Sequence, residues 1–272
     1  MVDSLGTLLS RSTAFFQKNI VPIVVASLVA GVVMLVISLA FGRSVLKEFG
    51  GGLGDLNANR TRMEDLQRRV QAGDPAALQE IQQEAQKAMG ALTGNPAGIA
   101  STARFGMLAA ILVTIVSLVL NGYILLLVVD GRGPKEALTR LGAVILPFLG
   151  LMIWVFIRTF AWIPLIGIVT AIILGPRFVA APVLLVKEKK GVLESAKISY
   201  AQTGGLWGKI FGNLIAVAIC TIVVAWAVNF VLSIVLRGAS FYVGPFVSAL
   251  AGAYLIVFMT YLSLAILEAK RV

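Results

Sequence analysis

A chain of 272 residues that is 58% apolar and only 13% charged falls outside the ordinary soluble class, where roughly a quarter of residues are charged. With no histidine and a single cysteine, Cys220, it excludes an intrachain disulfide and a His/Cys metal site. The net charge of +10 sits at the ends of apolar runs, as membrane topology and anionic headgroups favour. No basic stripe interleaved with aromatics marks a soluble module, which argues against nucleic acid as a partner.

The excess of apolar residues predicts an all-α, polytopic integral membrane protein with about six transmembrane helices, interfacial amphipathic helices and an extracytoplasmic helical hairpin. A hydrocarbon core about 30 Å thick takes roughly 20 helical residues. Backbone amides in lipid must be satisfied inside the segment, so each spanning run is expected to be a helix.

In chain order, residues 1–19 come first, with Leu5, Leu8, Leu9, Ser12, Phe15 and Phe16 at three- and four-residue spacing. That pattern predicts a helix on the cytoplasmic membrane surface. The first span follows at 20–41. Its 22 residues exceed the apolar length of a cleaved signal, so a retained anchor is expected, with cleavage after Ser38-Leu39-Ala40 as the rival.

Residues 42–104 form the one substantial polar region. A flexible stretch at Gly50-Gly51-Gly52-Leu53-Gly54 leads to a helix capped by Asp55, with Leu56, Met63, Leu66 and Val70 near one face. Asp74 and Pro75 then start a second helix as N-cap and first helical residue. Leu78, Ile81, Ala85, Ala88, Met89 and Leu92 make its apolar stripe. The two stripes of this 55–92 hairpin either bury each other or receive a protein partner or a second copy.

The second span is expected at 105–129 and an interfacial loop at 130–140. Spans three and four follow at 141–157 and 163–186, then a cytoplasmic amphipathic helix at 187–209. Spans five and six lie at 210–236 and 241–267, with a tail at 268–272. Basic residues favour the side holding both termini, including Arg11, Lys18, Arg132, Lys135, Arg140, Lys187, Lys189, Lys190, Lys197, Lys209, Lys270 and Arg271. The positive-inside rule thus places both termini in the cytoplasm and the protein in the cell (inner) membrane. Pro147, Pro164 and Pro176 leave 141–186 open between two short spans and a re-entrant segment. A Gly turn, an acid, small residues and a base precede both the third and the fifth spans, which suggests three units of interfacial helix plus transmembrane hairpin.

Phe178 and Pro182 close a span, followed by Leu184-Leu185-Val186-Lys187-Glu188, Gly191, Glu194-Ser195-Ala196-Lys197, Ser199 and Gly204-Gly205 before the next. Residues 177–213 with these features resemble uncharacterised six-span bacterial membrane protein families related to the membrane domain of glycerophosphoryl diester phosphodiesterases. The resemblance implies a membrane module without a defined biochemical role. The chain departs from the enzyme member in lacking the phosphodiesterase barrel and any His or carboxylate cluster, so no catalytic residue carries over.

Candidate site residues are few. Arg177 is the only charged residue deep in an expected span, and intramembrane charge is costly and often functional. Pro176 and the nearby span end permit a structural alternative, in which Arg177 snorkels to the headgroups. Asn121 and Asn213, at similar depth, are expected to join Arg177 and Asp130 in one polar cluster, or to make ordinary interhelical hydrogen bonds. Lys187, Lys189, Lys190 and Lys197 are candidate contacts for anionic lipid, or topology determinants alone. No nucleophile–base pair, phosphate loop or cofactor motif is present, and no Asp, Glu or His lies inside a span to relay protons. A non-enzymatic module that engages membrane lipid headgroups or scaffolds other membrane proteins is the leading reading. The alternative is a transporter or channel subunit with a pathway past the broken fourth span and Arg177. An intramembrane lipid-modifying enzyme is a third reading, without candidate residues.

Overall fold

The computed structural model describes residues 3–53, 69, 74, 76–77, 79–81, 83, 96–131, 133–160, 164–235 and 240–270. Among them every regular element is a helix: α1 (Leu5–Lys18), α2 (Ile20–Leu53), α3 (Pro96–Asp130), α4 (Pro134–Phe160), α5 (Pro164–Leu174), a 3-10 turn (Gly175–Phe178), α6 (Ala181–Lys187), α7 (Val192–Gln202), α8 (Trp207–Val235) and α9 (Ser240–Ala269). Six stretches are long and apolar enough to cross a membrane: Ile20–Phe41, Ala103–Asp130, Pro134–Thr159, Gly167–Lys187, Trp207–Leu232 and Tyr242–Ala269. The protein is an all-α, multi-pass membrane protein.

The chain divides into two compact units, residues 1–34 with 115–272, and residues 35–114. In the larger unit the packed core gathers around Leu118–Val128 of α3, Phe178–Val186 and Ala253–Leu267 of α9. Large apolar side chains elsewhere are exposed, among them Val21, Val25 and Val29 of α2 and Ile219, Val223, Trp226 and Val235 of α8. Lipid is the medium that suits such surfaces, because acyl chains are as apolar as the side chains they meet.

Ser4 caps α1, its Oγ accepting the Thr7 amide at 3.3 Å. The apolar stripe read from residues 5–16 packs on α9. Leu8 is fully buried with Phe258, Leu262 and Ile266, Phe15 meets Tyr261 edge-on, and the Thr13 hydroxyl lies 3.0 Å from that of Tyr254. A stripe that lipid can cover is here covered by protein, which also buries Ser12.

Two boundaries differ from the sequence expectation. Residues expected as an interfacial loop at 130–140 become a turn with positive φ at Gly131 and Gly133, and then the start of α4. Pro134 occupies the first helical position, where its missing N–H costs nothing, and the helix runs past Pro147 to Phe160. Similarly, α2 continues through Gly50, Gly51 and Gly52 to Leu53. Extending an existing helix avoids a new nucleation step, and that gain outweighs the low helix propensity of glycine.

The fourth span is broken as Pro176 foretells. Pro176 and Pro182 remove amide donors, and side chains from neighbouring helices approach the carbonyls near the break. The Ser199 hydroxyl donates to Arg177 O at 2.8 Å, and the Trp207 indole donates to Ile173 O at 2.9 Å. Ser263 Oγ sits 2.8 Å from Val179 O. Irregular backbone at membrane depth needs such partners.

In the smaller unit, the rings of Phe41 and Phe105 pack 6.3 Å apart. Asp74 Oδ1 accepts the Ala76 amide at 3.0 Å, the capping role expected of it, and Arg69 pairs with Asp74 at 2.7 Å and with Glu80 at 3.4 Å. This bond holds the Asp74 carboxyl below the usual range. Most of the 55–92 stripe residues, including Leu56, Met63, Leu66, Val70, Leu78, Ala85, Ala88, Met89 and Leu92, lie outside the described residues.

Candidate functional site

Helix α6 ends at Lys187, and the chain then reverses within four residues into α7. Lys189 makes the reversal with φ of 53°, a left-handed conformation that costs an L-residue about 1–2 kcal/mol. Glycine is the usual residue at such a helix terminus, so a lysine there is a strained choice. The turn closes on Leu184 O, which accepts the Glu188 amide at 3.1 Å and lies 3.5 Å from the Lys190 amide. It delivers three lysines to the carbonyl end of α6, where the helix dipole favours cations.

These lysines line a cleft of about 680 Å³ with Val129, Asp130, Arg140, Val144, Pro147 and Val186. Arg140 forms an ion pair with Asp130, whose side chain is 10% exposed and whose Oδ2 is buried without a partner. The Asp130–Arg140 pair holds the end of α3 against the start of α4. Lys190 is tethered to Glu194 at 2.8 Å. That bond raises the Lys190 ammonium above its ordinary value and lowers the Glu194 carboxyl. Lys187 and Lys189 form no ion pair among the described residues. Of the four cations that line the open cleft, Arg140 is paired with Asp130 and Lys190 with Glu194, and Lys187 and Lys189 supply the positive charge that suits a phosphate or carboxylate.

Lys197 does not join this group. It lines a second cleft of about 530 Å³ with Trp154, Ile157, Arg158, Leu174, Phe178, Ala196 and Tyr200. Arg177 lines neither cleft. Its guanidinium carbon stands 4.7 Å from the Tyr200 ring centroid, a cation–π contact, while Phe178 beside it contacts the rings of Trp154 and Tyr200.

The single cluster, one of two readings for Arg177, Asn121, Asn213 and Asp130, is not formed, and these residues divide among separate places. Asn121 lines a narrow cavity of about 150 Å³ with Pro182, Thr260 and Ser263. Asn213 is 8% exposed, with Nδ2 buried and unpartnered. Depth along a span is readable from sequence; azimuth around it is not, and azimuth separates these groups. From the sequence, Arg140 is expected as a topology marker alone. The sequence does carry a signal for Arg140, which stands ten residues after Asp130 across a Gly-Arg-Gly-Pro turn. Nothing in the sequence links Arg158 to Lys197.

The chain matches no protein-family model, and no curated protein or solved structure matches it. The likeness of residues 177–213 to six-span bacterial families accordingly rests on the residues quoted above.

Proposed function

We propose that this protein is a non-enzymatic membrane module that engages anionic lipid headgroups through the Asp130–Arg140–Lys187–Lys189–Lys190 cleft. The observation that carries this reading is the strained Lys189. Its left-handed backbone turns a helix end into a presenting loop, with the Asp130–Arg140 pair fixing the opposite wall. The cleft lies where the long apolar helices α3 and α4 and the short apolar helix α6 end or begin, so a bound headgroup keeps its acyl chains along apolar surface. The surplus of basic residues at this end supports a cytoplasmic orientation in the inner membrane. The cations that line the cleft support electrostatic capture of an anion.

The test is native mass spectrometry of detergent-purified protein, comparing wild type with Lys187→Ala/Lys189→Ala. Each surface cation contributes about 1 kcal/mol toward an anionic membrane, so the double variant is expected to lose about 2 kcal/mol, or roughly thirty-fold in affinity. Retained anionic phospholipid should fall accordingly, with zwitterionic lipid unchanged. Equal retention of anionic lipid by both proteins would overturn the reading. A copurifying protein that is lost when residues 55–92 are deleted would favour scaffolding instead.

A further inference from the structure

The second cleft bears on how helices α4 to α6 meet the membrane. Helix α7 runs beside the second half of α4. A Cβ on Gly150 would lie 3.7 Å from Val192, Ala196 is buried with Leu151 and Phe178, and Lys197 and Tyr200 share the second cleft with Arg158. Eight helical residues separate Gly150 from Arg158, and eight separate Val192 from Tyr200; each interval covers about 12 Å. The two helices thus advance together. Yet α7 is a polar helix whose Glu194, Lys197 and Tyr200 are exposed, and its N-terminal turn carries Lys187, Lys189 and Lys190.

If α4 and α5–α6 crossed the whole bilayer, α7 would be drawn into the hydrocarbon with its charges, and Arg158 would emerge on the far side of a core about 30 Å thick. The contact of Trp207 with Ile173 raises a second conflict. Ile173 lies near the middle of Pro164–Lys187, so α8 would begin near mid-bilayer. Its 29 residues, about 43 Å long, would then overshoot the membrane.

We infer that α4 and α5–α6 form a hairpin seated in a single leaflet, the leaflet that α7 faces. Its lipid partner is that leaflet alone. Leu138, Leu146, Ile153, Phe156 and Ile157 form an exposed apolar stripe along α4 that meets the acyl chains. Arg140 at one end and Arg158 with Lys197 at the other meet the phosphates, and the second cleft, lined by two cations and no acid, suits a headgroup phosphate. Helices α2, α3, α8 and α9 make the full crossings. Four crossings leave the termini on a common side, as six would.

Sidedness of thiol labelling tests this inference. On a Cys220→Ser background, Arg158→Cys, Lys197→Cys and Asp74→Cys are expressed singly, and a membrane-impermeant maleimide is applied to sealed vesicles of each orientation. Arg158→Cys is expected to react from the same face as Lys197→Cys, and Asp74→Cys from the opposite face. Reaction of Arg158→Cys from the face of Asp74→Cys, or only after detergent, would overturn the single-leaflet hairpin. Because Arg158 itself bears on topology, a protease site inserted between residues 160 and 164 provides the second measurement with Arg158 retained. Cleavage from the Lys197→Cys face is expected, and cleavage from the other face, or protection from both, overturns the inference.

Discussion

Lys189 is the residue at which backbone and function oppose each other. Its φ of 53° is one that glycine adopts without penalty. Lys189→Gly is expected to stabilise the fold by about 1 kcal/mol, the relief of strain being partly offset by the greater freedom of glycine in the unfolded chain. The same substitution should reduce retention of anionic lipid. Thermal unfolding in detergent together with lipid mass spectrometry checks both halves; a loss of stability would show that the lysine side chain contributes more to the turn than its backbone costs. Asp130 and Arg140 illustrate the other limit of legibility at this scale. Both are visible in the sequence as charges flanking a span, and only their ion pair reveals them as one wall of a cleft.

At the scale of elements, the break after α5 was legible and its repair was not. Pro176 and Pro182 announce lost amide donors in any context. Which groups then approach the carbonyls near the break depends on helices twenty to eighty-odd residues away: Ser199 and Thr203 for Arg177 O, and Ser263 for Val179 O. Ser199→Ala with Thr203→Ala removes both hydroxyls near Arg177 O, and the cost is expected to be about 1–3 kcal/mol, that of an unsatisfied buried group. Denaturant unfolding of the double variant measures it, and a change within error would mean that water satisfies the carbonyl. A close approach between α2 and α9 provides another test. A Cβ at Gly31 would lie 2.5 Å from the Phe246 ring, the kind of contact that small residues permit between membrane helices. Gly31→Ala is therefore expected to destabilise by about 1–3 kcal/mol, with recovery when Phe246→Ala is added. Absence of recovery would place the cost elsewhere than in this contact.

At the scale of the molecule, the clefts sit where charge meets apolar surface, and their capture of headgroups is electrostatic. The Debye length shortens from about 10 Å at 0.1 M salt to about 3 Å at 1 M. Binding to vesicles containing anionic lipid is thus expected to weaken steeply with salt for wild type, and less steeply for Lys187→Ala/Lys189→Ala. Parallel slopes in a flotation assay would indicate that these lysines do not face the lipid.

The sequence by itself determined that this is a helical, multi-pass membrane protein, because hydrocarbon cannot satisfy a bare backbone amide and so converts each long apolar run into a helix. It also determined where that helical order fails, at Pro176. What only tertiary structure decided is which side chains share a face and a depth. Hydropathy records how apolar a run is but carries no azimuth, so it left Asp130 and Arg140 in one segment and Lys187 and Lys190 in another. The folded chain gathers them into one cleft, and it sets Lys197 beside Arg158 although 39 residues separate them. The pairing of α7 with α4 is a packing result, made by Gly150, Leu151 and Ala196 fitting against their neighbours, and no periodicity along the chain encodes it.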